Sequence, residues 1–156
     1  MQNYFSEKLT TQQLTKISFF DGLSSNVLED FTKILNVCRY KKGDYVFTEG
    51  SDATEMYFIM EGSVNVVKKT YKGAKKLLIE LHESQFFGEM ALVDRGKRST
   101  SVVASTDLVL ATLSWEKLNA EFEAYNPDLA IFTYKKIAQA LSLRLRQVNS
   151  LYAHSV

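Results

Sequence analysis

Apolar positions recur along this chain with two periods, and the switches between them divide it into three stretches. Over residues 10–36 the period is helical. Val27, Leu28, Phe31, Ile34 and Leu35 fall on one stripe, and Ser24 or Ser25 is placed to cap its start. Before that stripe, Phe19-Phe20-Asp21-Gly22-Leu23 reads as a turn between two short helices. From Arg39 to Leu113 short β-type runs take over: Tyr45–Phe47, Met56–Met60, Val64–Val67, Leu77–Leu81, Thr100–Val103 and Leu108–Ala111. Turn residues such as Lys42-Gly43-Asp44, Glu49-Gly50, Glu61-Gly62 and Lys72-Gly73 separate them. Several short strands at this spacing predict a sandwich, roll or barrel. The helical period returns from Pro127 to about Leu151. There Ile131, Tyr134, Ala138, Leu141, Leu145, Val148 and Tyr152 alternate in steps of three and four. That seam fits either a coiled-coil partner or a helix lying on its own β-structure. The predicted class is mainly β with flanking helices.

Composition narrows the function classes. At 156 residues the chain is the size of one domain. It carries 19 Lys plus Arg against 18 Asp plus Glu, a net charge of +1. Such a balance gives no global field for nucleic acid or an anionic membrane, so any bound anion is held by local geometry. The single cysteine, Cys38, allows no intrachain disulfide and fits a reducing, cytoplasmic setting. No apolar stretch reaches the ~20 residues a membrane helix needs, and the first residues contain no signal-peptide core.

The chemistry concentrates in one interruption of the β region, Phe86 to Thr100. Gly88 allows close backbone approach. Glu89 to Val93 can form one helical turn whose first amides suit an anion. Arg98 follows a short loop later and can bind two oxygens of that anion at once. Ser99 adds a hydroxyl. Glu89 beside an anion would be repelled unless it holds hydroxyl groups, which a ribose next to a phosphate supplies. The residue types therefore suggest a sugar-phosphate ligand. Arg98 could instead be a surface or ion-paired arginine, and Glu89 a helix-terminal charge.

The run Phe87-Gly88-Glu89-Met90-Ala91-Leu92, followed by Arg98-Ser99-Thr100-Ser101-Val102, resembles the phosphate-binding cassette of the cyclic nucleotide-binding domain family. The Lys42-Gly43-Asp44, Glu49-Gly50 and Glu61-Gly62-Ser63-Val64 turns resemble the family's glycine turns, Phe20 to Ser24 its opening segment, and Asn126-Pro127 its hinge. The resemblance implies a double-stranded β-helix, a jelly-roll-like β-roll, with N-terminal helices and a long C-terminal helix. It implies one domain over residues 1–156: helices over 1–38, the roll over 39–113 with the cassette at 87–102, and hinge and lid helices over 114–156. By position, Glu89 takes the ribose 2′-hydroxyl and Arg98 the cyclic phosphate. Gly88, Met90, Ala91 and Ser99 complete the cradle, and Val64, Leu78 and Ile79 pack on the base. The sequence departs from the family at Ser84, where a glycine is common.

The implied ligand is cyclic AMP or cyclic GMP, with cyclic AMP favoured because the Arg98-Ser99 pair resembles that of the catabolite activator protein. No metal is expected, since a metal site on such a roll needs clustered histidines and His82 is the only one in the β region. No catalytic activity is expected. The chain ends at Val156, leaving no helix-turn-helix, so direct DNA binding is not expected. Expected partners are the nucleotide, an unidentified effector protein, and a second copy of the chain through the final helix. The alternative is an interaction module of the same fold that has lost nucleotide binding. Arg144 and Arg146 are expected to face solvent, and Asn149 is a candidate for the base edge.

Overall fold

A computed structural model describes residues 3–5, 7–124 and 126–155. Residues 1, 2, 6, 125 and 156 of the predicted domain span lie outside the described residues. The helical opening consists of α1 (Thr11–Leu14), a 3-10 turn at Ser18–Phe20, and α2 (Ser25–Ile34). Thr10 and Gln13 close a reciprocal capping box on α1. Ser24 caps α2, its hydroxyl accepting from the Val27 amide.

Two features of the opening differ from the sequence reading. A strand β1 (Asn3–Phe5) lies where the sequence predicts helices, and β2 (Asn36–Tyr40) begins before residue 39. Both escape the period argument for physical reasons. Three residues are too few to show alternation, and β2 pairs along its length with a partner about seventy residues away, so nothing local marks it.

The strands that follow are β3 (Tyr45–Phe47), β4 (Glu55–Glu61), β5 (Val64–Lys69), β6 (Lys75–Leu81), β7 (Phe86–Phe87), β8 (Ser101–Ala104) and β9 (Leu108–Ser114). They form two antiparallel sheets in the orders β1-β2-β9-β4-β7 and β3-β8-β5-β6. The single turn α3 (Met90–Val93) sits between β7 and β8. Two further helices, α4 (Trp115–Ala124) and α5 (Pro127–Ala153), close the chain, with Pro127 in the first turn of α5. The fold class is that expected: a mainly β roll with helices at both ends.

The first sheet separates two cores. On β4, Met56 and Phe58 face the helices while Tyr57 and Ile59 face the interior of the roll. β9 divides the same way, Ala111 and Leu113 to the helices and Leu108 and Leu110 to the interior. Burial on both faces explains why these two strands read as continuous apolar runs. The helical core is aromatic. Phe19 meets Phe20, Phe58, Phe86 and Phe132 edge-on at 4.9–5.7 Å, which ties the opening, the sheet and α5 together.

The amphipathic face of α5 is not the one the seam predicts. Leu129, Ala130, Thr133 and Ile137 are buried, whereas Ile131, Leu145, Val148 and Tyr152 are more than half exposed. The helix packs on its own core with a stripe one to two positions away from the heptad seam. Only Leu141 of the seam joins the edge of that core.

Candidate functional site

Phe86 and Phe87 start the site by facing opposite cores, which pins the chain on both sides just before it leaves the sheet. Phe87 stacks on Tyr57 at 5.1 Å with the rings 14° apart. Gly88 follows with φ +74°, in the left-handed region. A Cβ there would lie 2.9 Å from Arg98 Nη1 and 3.3 Å from the Tyr57 ring. The backbone thus turns left-handed to bring its carbonyl against the arginine, a combination that needs glycine. Glu89 occupies the N-cap position of α3 and is buried.

Arg98 returns to the same point from the far side of the loop. Its amide donates to the Ser51 carbonyl and its carbonyl accepts from the Gly50 amide, each at 2.8 Å. Its Nη2 donates to the Glu55 carbonyl at 2.8 Å and its Nη1 to the Gly88 carbonyl at 3.2 Å. The guanidinium lies 4.0 Å from the Phe47 ring centroid and 5.6 Å from that of Tyr57. Arg98 is buried, and among the described residues its Nε atom meets no hydrogen-bond acceptor. Burial lowers the affinity of this guanidinium for its proton, while Tyr57 and Glu55 act in the opposite direction. A buried cation with an unused donor is incomplete, and an anion with two oxygens would complete it.

These groups line a cleft of about 760 Å³ between the cassette, β6 and α5. The structure brings Gly88, Glu89, Met90, Ala91, Arg98, Ser99, Leu78 and Ile79 to its wall. The Ala91 amide is already engaged, donating to the Gly88 carbonyl at 3.3 Å. Leu78 and Ile79 are neighbours, yet both face the cleft. The register explains this: Val66 pairs with Ile79 and Val67 with Leu77, so Leu78 is the extra residue of a β-bulge. Each is about half exposed (50% and 52%), an apolar shelf on an edge strand.

Val64 is a correction. It is fully buried in the roll interior, paired with Leu81 and Ala104, and does not reach the cleft. Val66, two residues on and on the same face, lines the cleft instead. Asn149 likewise does not line it, whereas Gln147 does. Arg144 is also a correction. It faces the cleft rather than solvent alone, with Nη1 paired to Glu89 Oε1 and Nη2 donating to the Phe86 carbonyl at 3.2 Å. A sequence signal for it exists. Ala140, Leu143, Arg144, Gln147, Val148 and Leu151 form a second helical stripe beside the seam. Lys68 is a further site residue that the sequence reading misses. It donates to Glu49 at 2.9 Å and to the Ser99 carbonyl at 2.7 Å, bracing the end of the cassette.

Ser84, the departure from the family pattern, has φ +76°. It adopts the turn a glycine would. Its hydroxyl accepts from the Ser18 amide at 2.9 Å and the Ser18 hydroxyl donates to its carbonyl at 3.3 Å.

The cyclic nucleotide-binding domain family matches residues 37–125. The chain belongs to that family. It is 34% identical over 126 residues to the cAMP-activated global transcriptional regulator CRP of Haemophilus influenzae, covering 80% of this chain and 56% of that one. The chain therefore spans a little over half the length of such curated relatives. Among solved structures, a cyclic nucleotide-binding domain from Methylobacillus flagellatus superposes with a TM-score of 0.80 at 23% identity, over 94% of this chain and 82% of that one. The regulatory subunit of a cAMP-independent protein kinase A from Trypanosoma brucei superposes with a TM-score of 0.68 at 29% identity, over 82% of this chain and 45% of that one. As a family member, the chain carries a cyclic nucleotide-binding regulatory domain. Among the described residues no helix is long and apolar enough to cross a membrane.

Proposed function

We propose that the cleft binds a cyclic nucleoside monophosphate, cyclic AMP ahead of cyclic GMP, and that the domain is a non-catalytic sensor. The observation that carries this reading is Arg98: a buried guanidinium, fixed by two backbone carbonyls, with its Nε unpartnered beside the buried Glu89 carboxylate. In this reading the cyclic phosphate lies on Arg98 and Ser99 with the amide of Met90, and with that of Ala91 in exchange for its bond to the Gly88 carbonyl. The ribose 2′-hydroxyl lies on Glu89, and the base on Leu78, Ile79 and Val66. The shelf from β6 is half exposed and apolar, which suits the face of a purine. The whole chain acts as one domain with α5 as lid, and its setting is the cytoplasm.

The exposed seam of α5, with Leu145 61% and Tyr152 75% exposed, supports a homodimer through that helix. A Leu145→Glu variant that sediments as a monomer, against a dimeric parent, would bear this out. A monomeric parent would remove it. An effector protein completes this reading, and a net charge of +1 over these residues supplies no attractive field for direct DNA contact.

Calorimetric titration of nucleotide-stripped protein with cyclic AMP and cyclic GMP tests the ligand. Arg98→Ala should lower affinity by about a hundredfold, the scale of a lost bidentate charge-assisted contact. Unchanged affinity in that variant refutes the assignment. One observation favours the second reading, an interaction module without nucleotide binding: Glu89 Oε1 is already occupied by Arg144. Absence of binding to either nucleotide, both by the parent protein and by a variant in which Arg144 no longer occupies Glu89, would select it.

A further inference from the structure

We propose that Arg144 is a latch that holds α5 over the cleft and competes with the ligand for Glu89. The inference rests on the ligand reading above, but its first test does not.

Glu89 is a desolvated carboxylate, its side chain only 4% exposed. A buried carboxylate needs a cation or strong donors. Arg144 supplies both, and it comes from the last helix rather than from the cassette. It makes three contacts at the root of the cassette: the Glu89 carboxylate, the Phe86 carbonyl, and the Phe86 ring with its centroid 5.6 Å away. Upstream, α5 is held by Leu129, Ala130, Thr133 and Ile137. Beyond Leu141 its remaining apolar residues are exposed: Leu143, Leu145, Val148 and Leu151 are each 59–70% exposed. Of the ion pairs among the described residues, that of Arg144 is the one that ties this distal half to the roll.

The cleft walls include Leu143, Gln147, Val148 and Leu151, so a ligand filling it must displace the distal half of α5 or be covered by it. A ribose hydroxyl seeking Glu89 meets the arginine already there. Opening the latch is then a cost that the ligand must overcome, and the apparent affinity is reduced by the fraction of molecules already unlatched. The guanidinium fork matters as well as the charge, because one nitrogen serves the carboxylate and the other the Phe86 carbonyl.

The first test is amide hydrogen exchange over residues 140–151 of the whole chain without nucleotide. R144Q should exchange there about tenfold faster, with R144K between it and the parent, and with residues 129–137 unchanged. Equal exchange in the parent and R144Q overturns the latch whether or not any nucleotide binds. The second test is titration with cyclic AMP. R144Q should bind about tenfold more tightly than the parent. Binding by R144Q alone supports the latch. Equal or weaker binding by R144Q shows that Arg144 does not oppose the ligand and overturns the competition. If neither protein binds but exchange still rises, the ligand reading fails while the latch stands. Should R144Q not fold, because Glu89 is left buried without a partner, R144K decides by the same two measurements.

Discussion

Replacing Gly88 by alanine tests the claim that the cassette is built around one left-handed residue pressed against one arginine. Two penalties add at this position. The φ of +74° costs a side chain-bearing residue about 1–2 kcal/mol. The new Cβ would lie 2.9 Å from Arg98 Nη1, so the guanidinium must move away from the carbonyl that holds it. Losing a hydrogen bond from a charged donor costs about 1.5–3 kcal/mol. Gly73 isolates the first penalty. It lies in the β5–β6 hairpin with φ +78°, and a Cβ there would meet nothing within 4 Å, so Gly73→Ala carries the strain alone. By thermal and denaturant unfolding, Gly73→Ala should lose about 1.5 kcal/mol and Gly88→Ala about 3 kcal/mol. The corresponding falls in Tm are about 3–6 °C and about 6–12 °C at this chain length. If the two variants agree within about 0.5 kcal/mol, the ordinary spread of a surface substitution, the close packing of Gly88 on Arg98 is wrong.

Other consequences can be checked with the same instruments. Ser84→Ala keeps the positive φ but removes the hydroxyl that accepts from the Ser18 amide, so it should destabilise by about 1 kcal/mol. An unchanged midpoint would show that this hydrogen bond does not hold the opening turn. Burial pushes the Cys38 thiol up to about 12 from an ordinary value of 9.0. The folded state keeps the proton that the unfolded chain gives up, so stability is intact below about pH 9 and falls as pH rises towards 12. Between pH 7 and pH 10 the parent should lose on the order of 1 kcal/mol more than Cys38→Ala. Parallel losses would refute the burial argument. In the folded parent at about pH 8, Cys38 should also resist a thiol reagent that labels the unfolded chain at once.

What is legible in the sequence follows from where each signal resides. The six β-runs read from alternation or apolar density all fall on strands, four of them (β4, β5, β8 and β9) paired on both sides and two (β3 and β6) at sheet edges. β7 is hidden inside the cassette: two phenylalanines facing opposite cores carry no period. The cassette residues Gly88, Glu89 and Arg98 come together as the motif implies. Val64 is misplaced by one pleat repeat, a shift that preserves the face but changes the depth. Leu78 and Ile79 reach the same cleft through a bulge, which no alternation rule would allow. Arg144 escapes a sequence reading because a lone arginine on a long exposed helix looks like any solvated one. Only the stripe that it shares with Ala140, Leu143 and Gln147 distinguishes it, and the stronger heptad seam beside it draws attention away.

The two stripes of α5 have different consequences for how the helix moves. Its buried stripe ends at Ile137, with Leu141 at the margin, so apolar packing fixes the first eleven of its 27 residues. Past that point the helix offers a cleft-facing stripe to the ligand site and a seam to solvent, and Val148 belongs to both. A residue shared by two surfaces couples them: whatever covers the seam restricts how far the cleft face can swing, and whatever fills the cleft sets the angle at which the seam is presented. On the proposed dimer and ligand readings, partner binding and ligand binding at α5 would be linked through a lever anchored at Ile137, and by reciprocity each would change the affinity of the other by the same factor. For a lever of this kind, a substitution at Val148 should perturb both equilibria. One at Ile131, which lies in the anchored portion and away from the cleft, should affect the seam alone.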